Sequence, residues 1–396
     1  MLRRSLSIGL ILASFFTGRS YLQADETPSN TIPLSQEASI LETRQGVQDT
    51  LSPELVTLRN QVRKTLATYY QEPISIADHS PWGIMHALIA YGVDTQIVVN
   101  GKQVNAIGHM CFNQPCRGMQ LMTLEGKNLR VQIGPGYQGH AGQFLAMLAQ
   151  SRVMVDYPIR VGGREFTVAD LIESEKQTCR TKSELTFKLI ALSHYLPLET
   201  TWKNDLGENW SISRLIKEEL AQNVVGAACG GTHRMTGFSY VVNRKIKLGE
   251  EFDGQFLRAS KFVDNYHDYI FKLQNSDGSF STNWFAGRGD DPTEKRRIET
   301  TGHMVEWLVC SLSKEELTDP RVVKAVDYLS KLLLNLAQKK QTIEIGPRGH
   351  ALHGLAIYGE RVFGDRPGQR EEFLAKKEVI VTKKIDTDAT KRRKTN

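Results

Sequence analysis

Four histidines recur beside small residues at the start of apolar runs: Gly139-His140, Gly231-Thr-His233, Gly302-His303 and Gly349-His350. Imidazole exchanges a proton near neutral pH, so several of these rings around one concave mouth would make a general acid–base site. Arg234 and Tyr240 lie close in sequence to His233, and Glu299 to His303. An arginine neutralises a carboxylate while a histidine or tyrosine moves a proton, which suits a lyase or hydrolase acting on a glycan or other anionic ligand. The structural alternative is that a histidine near a helix end satisfies a neighbouring carbonyl, and that its recurrence reflects a repeated fold constraint.

Metal chemistry has less support in the sequence. Cys229-Gly-Gly-Thr-His233 and His350-Ala-Leu-His353 each put two possible ligands on one helix face, but neither has a third ligand nearby. Core packing accounts for Cys229 more simply, so no cofactor is expected, zinc included. Trp82, Trp284 and Trp307 could line a sugar or lipid cavity, although aromatic residues at inner-helix spacing belong more often to a core.

The histidines need elements to hold them, and two classes of helix alternate along the chain. Amphipathic, charged stretches cover Ser211–Asn223, Gly254–Leu273 and Pro320–Gln338, and a further helix covers roughly 52–71. The second class is nearly uncharged: Trp82–Gly92, Gly139–Ala149, Ser183–His194, Gly231–Val242, Gly302–Leu312 and Gly349–Gly359. A helix apolar all round belongs inside and an amphipathic one outside. The alternation therefore predicts an all-α fold of two concentric layers, an α/α toroid of about six inner helices with outer partners. If the inner helices run parallel, their N-termini gather His140, His233, His303 and His350 at one rim, with His86 or Glu184 from the other two. The dipole ends there would favour an anion.

Strand signals interrupt the helices near 94–134 and 158–168. Asn100-Gly101 between apolar runs is a strong hairpin signal, Leu121–Ile133 reads as a second hairpin, and Pro158–Val168 as a third.

Residues 1–24 have the form of a secretory signal peptide: Arg3 and Arg4, then an apolar run over 7–16, then Leu22-Gln-Ala24. A polar linker over 25–50 follows, the helical domain spans 51–362, and 363–396 is a basic tail. The net charge of +6 is misleading, because the leader carries +3 and residues 376–396 carry +5, leaving −2 for the body. No basic face for nucleic acid is implied. A secreted, periplasmic or envelope location is expected, with no integral span after signal cleavage. Export also suggests a disulfide between Cys111 and Cys116, with Cys179, Cys229 and Cys310 as buried thiols.

One motif carries a resemblance. Leu273-Gln-Asn-Ser-Asp-Gly-Ser-Phe280 resembles the Gln-x-x-Asp-Gly-x-Trp/Phe turn of the terpenoid cyclase and protein prenyltransferase toroids, where it links an outer helix to the next inner one. The resemblance implies the toroid fold. It does not bring the family's chemistry, because no Asp-x-Asp-Asp motif is present; Gly289-Asp-Asp-Pro292 is the nearest approach. Nor can the prenyltransferase Asp, Cys and His zinc set be placed. Two further readings stand beside the enzyme: a non-catalytic envelope scaffold or protein-interaction module, and a lipid- or isoprenoid-binding cyclase relative.

Overall fold

The computed structural model describes residues 51–367. The segments expected to be a signal peptide and a linker, and most of the basic tail, lie outside the described residues. Within them the chain is mostly helical, with a few small sheets.

The helices are α1 (Pro53–Tyr70), α2 (Pro81–Tyr91), α3 (Ala106–Cys111), α4 (Gln143–Gln150), α5 (Val168–Gln177), α6 (Thr186–Tyr195), α7 (Ile212–Leu220), α8 (Thr232–Leu248), α9 (Gly254–Lys272), α10 (Glu294–Ser311), α11 (Pro320–Gln338) and α12 (Ile345–Phe363). Their starts are locally encoded. Ser52 accepts from Leu55 N at 3.3 Å and Pro53 follows it, so α1 has a side-chain cap and a preset first φ. Thr167 and Asp170 form a capping box on α5, and Asp319 caps α11 ahead of Pro320.

Burial separates the helices as their hydrophobic patterns require. All but one of the eight residues of α4 are buried, and the buried residues of α2, α6 and the central part of α10 cover every face. By contrast, α7, α9 and α11 bury one stripe each. Among the nearly all-buried helices, α2 packs on α4 and α12, α4 on α6, α6 on α8, α8 on α10, and α10 on α12. The amphipathic helices lie against them: α1 on α11 and α12, α7 on α6, α9 on α8, and α11 on α10.

Three hairpins occur where the turn chemistry predicted them. Strands β2 (Gln96–Val99) and β3 (Lys102–Asn105) pair antiparallel with Val99 opposite Lys102, and Asn100 and Gly101 take φ of 49° and 76°. Positive φ at both central residues gives the turn that matches strand twist. β4 (Met122–Glu125) pairs with β5 (Asn128–Val131), and β6 (Pro158–Val161) with β7 (Arg164–Thr167). Two features had no clear signal. β1 (Ile74–Ser75) adds parallel to β2, and β8 (Thr201–Lys203) pairs with β9 (Asn209–Ser211) by facing Trp202 to Trp210. Strands of two or three residues are too short to show a period.

The turn after α9 works as its residues suggest. Gln274 Nε2 donates to Arg321 O of α11 at 2.9 Å and to Gly278 O at 3.1 Å. Asp277 accepts from Ser279 N and Oγ, and Phe280 is fully buried. Gly278 has φ 101°, and a Cβ there would meet Lys324 O at 2.6 Å, so glycine is required on both counts.

Three expectations need correction. Cys111 and Cys116 are free thiols. Cys111 closes α3 inside the core, while Cys116 forms a bridge with Met119 and its Sγ rests 3.8 Å from Met110 Sδ; burial pushes both thiols up to about 12. Cys229 lies in a half-buried turn, not in a helix. Cys310, near the end of α10, is half-buried and not a fully buried thiol. After α12 ends at Phe363, Asp365 pairs with Arg59 at 2.7 Å.

Candidate functional site

Five imidazoles from five separate segments meet in one cluster. His233, in the first turn of α8, is its hub: its ring centroid lies 5.4 Å from that of His140, 5.4 Å from His303 and 5.0 Å from His350. His303 and His350 are 4.0 Å apart, and His86 of α2 is 5.3 Å from His350. Phe187 fills the space between His140 and His233. His86, His233, His303 and His350 are only 3–6% exposed, whereas His140 is half-buried.

The rings do not all stand at helix starts. His140 precedes the Gly142 N-cap of α4, and His350 lies in the second turn of α12. His303 sits in the middle of α10, because that helix begins at Glu294 and not near Gly302. The helix-dipole argument for an anion therefore does not extend to His303, since the dipole acts mainly within the first turn.

Glycine enables the convergence. A Cβ on Gly349 would meet His86 O at 2.2 Å, and one on Gly302 would meet Ala351 Cβ at 3.0 Å. Gly302 and Gly349 thus let α10 meet α12 and α12 meet α2 at close range, whereas Gly231 is crowded by Val224 of the preceding loop.

Hydrogen bonds set the ring orientations. His86 Nδ1 lies 2.7 Å from Trp82 O, and His303 Nδ1 lies 2.6 Å from Glu299 O. A carbonyl only accepts, so each Nδ1 carries the proton and each Nε2 keeps its lone pair. His350 and His353 both point Nδ1 at Glu306, at 2.8 and 2.5 Å, and His140 points Nδ1 at Glu184 at 2.7 Å. Burial pulls His86 down to about 4 and holds His233, His303 and His350 well below the usual histidine range; neighbouring imidazoles push the same way. The four buried rings are thus held in their neutral form, as bases and ligands and not as a cationic cradle.

Two rings have unmet capacity. Among the described residues, both nitrogens of His233 and Nε2 of His303 are buried without a hydrogen-bond partner. Beside them lies Cys229, on a turn where Cys229, Gly230 and Gly231 take φ of 48°, 64° and 84° in succession. Donor atoms of Cys229, His233 and His303 all lie within 4.8 Å of one another. The indole of Trp284 presses on this turn, since a Cβ on Gly230 would come within 2.2 Å of its ring, and it also packs edge-on against His303.

Of the residues expected at the site, His140, His233, His303 and His350 are brought together. Arg234 is not among them. Its guanidinium is buried against Glu219 Oε2 at 2.9 Å and also bonds Asn223 O and Gln222 Oε1. Tyr240, two turns further along α8, stacks near His194 at 6.2 Å and faces away from the cluster. Glu299 takes part through its backbone carbonyl, while its carboxylate pairs with Arg296 at 2.9 Å. Trp82 and Trp284 do border the cluster, through His86 and His303, whereas Trp307 bonds Ser239 in the core. Glu306 was not anticipated. The available signal was one acid inside the apolar run Met304–Val309, three residues after His303 and so on the same face.

The fold and site define a mostly helical protein with a largely buried imidazole cluster. No protein-family model matches the chain, and no curated protein or solved structure matches it either.

Proposed function

We propose that this chain is an exported α/α toroid that acts as a lyase or hydrolase on a glycan or other anionic ligand at the histidine-bearing end of its inner helices. The toroid reading is supported by the sequence of contacts among the buried helices, which returns from α12 to α2, and by the amphipathic helices lying against them. The Gln274–Phe280 turn, tying α9 to α11, is the point of likeness to the terpenoid cyclase and prenyltransferase toroids.

The observation that carries the enzymatic reading is the half-exposed His140–Glu184 pair at the edge of the cluster. With Nδ1–H donated to Glu184, His140 offers Nε2 as a base, and the carboxylate stabilises the imidazolium that forms. In a β-elimination on a uronic acid unit, Nε2 would take the proton next to the carboxylate. The ring C=C forms as the bond to the leaving oxygen breaks, and the imidazolium returns its proton to that oxygen.

The test is incubation with uronate-containing and neutral polysaccharides, following unsaturated uronate and new reducing ends. His140→Ala should lower turnover by roughly 100-fold or more, the scale of general acid–base catalysis. Turnover unchanged in that variant, or none on any glycan, would sink the reading. The packing of Trp82 and Trp284 on the rings favours the second reading, a non-catalytic envelope scaffold, which the latter outcome would support.

A further inference from the structure

We infer that Cys229, His233 and His303 form a binding site for one zinc ion, with a fourth coordination position left for water or a ligand. The inference does not depend on glycan chemistry, because a zinc site could equally be structural.

The donor set comes first. A thiolate with two imidazoles is the soft-to-borderline combination that suits zinc, and oxygen-seeking ions such as calcium and magnesium would be poorly served. The three donors come from two places far apart in sequence, the 229–233 turn and the middle of α10, and all their ligating atoms lie within 4.8 Å. Zinc bonds of about 2.0–2.3 Å put neighbouring donors some 3.5 Å apart, so a small closing movement of the Cys229 turn completes the geometry.

A second, independent observation points to a ligand. His233 and His303 are more than nine-tenths buried, and between them they hold three ring nitrogens with no partner. A buried polar atom left without a hydrogen bond costs about 1–3 kcal/mol. A metal bond at His303 Nε2 and at one nitrogen of His233 would satisfy two of the three.

The support around these ligands agrees. His303 Nδ1–H donates to Glu299 O, which fixes the tautomer with Nε2 free, as metal-bound histidines usually require. Gly230 and Gly231 allow the turn to fold Cys229 back over the first residues of α8, and Trp284 shields it from solvent. Among the described residues, Cys310, further along α10, belongs to no such group of three donor side chains.

The experiment uses the full chain, stripped with a chelator and titrated with zinc, and separately with cobalt(II) as a spectroscopic probe. About one equivalent of zinc should bind, and the cobalt form should show a sulfur-to-metal charge-transfer band with tetrahedral d–d absorption. Cys229→Ser and His303→Gln should each weaken zinc binding by roughly 100-fold or more, since loss of a mere supporting contact already costs 10–100-fold. Cys310→Ser should bind as the wild type does. Circular dichroism shows that each variant is folded, and the half-exposed Cys229→Ser keeps the test valid if His303→Gln is not. Substoichiometric zinc in the reconstituted wild type, or a cobalt spectrum without the sulfur band, overturns the site. Zinc bound without glycan turnover upholds the site while removing the enzymatic reading.

Discussion

Glu306 of α10 accepts from His350 Nδ1 of α12 at 2.8 Å, and its other oxygen accepts from His353 Nδ1 one turn further on. A single buried carboxylate thereby ties α10 and α12 together and sets the tautomer of a ring in the cluster. Gln at this position has only one accepting oxygen, so one buried N–H loses its partner. Glu306→Gln should cost about 1–3 kcal/mol of stability. Urea denaturation reads this as a lower midpoint at unchanged slope; an unchanged midpoint would mean that the pair contributes nothing.

Close approach of helices predicts a contrast between two glycines of α12. Gly349→Ala places a Cβ 2.2 Å from His86 O, a backbone atom that cannot swing aside. The helices must separate, at a cost of about 1–3 kcal/mol by analogy with overpacked cores. At Gly359 the nearest neighbour of an added Cβ is Val62 Cγ1 at 3.7 Å, an ordinary contact. Gly359→Ala should therefore stabilise by about 0.5–1 kcal/mol through helix propensity. Thermal or urea unfolding of the two variants decides the matter, and equal effects would refute the close-contact argument.

The cluster should make the protein sensitive to mild acid. His86 is surrounded by Trp82 O, the His350 ring, and the more distant Glu306 and His140, and burial dominates to bring its pKa down to about 4. In the unfolded chain the ring titrates near 6.5. Above pH 6.5 neither state is protonated and the contribution to stability is complete. As pH falls from about 6.5 to 4 the unfolded state gains a proton that the folded state refuses, and on the order of 3 kcal/mol is lost. Urea midpoints of chelator-treated protein at pH 7.5 and 5.0 should fall more for wild type than for His86→Phe. Parallel losses in the two proteins would contradict this account.

Much of the architecture was legible because it rests on local rules. The apolar runs and charged stripes distinguished buried from surface helices, and α11 runs from Pro320 to Gln338 as the pattern required. Asn100-Gly101 forms its turn because only residues that tolerate positive φ fit there. Helix starts were less legible. The charged first turn of α10, Glu294–Arg297, carries no apolar signal, and Gly346-Pro347 in the first turn of α12 reads as a break, so both helices seemed to begin at their later glycines. The α3 helix was hidden among the hairpins because six residues are too few to show a helical period.

The site divides in a similar way. Repetition along the chain was enough to single out His140, His233, His303 and His350, because a histidine next to or near a glycine in four of the six apolar stretches is a pattern in one dimension. Sequence order also put Arg234 and Tyr240 beside His233, but helical geometry turns Arg234 toward Glu219 and carries Tyr240 two turns away. Which carboxylate meets which ring, and that Cys229 faces a histidine 74 positions later, depend on how α8, α10 and α12 lie against one another. Local chemistry determined where helices and turns form; long-range packing alone decided which polar atoms share a buried space.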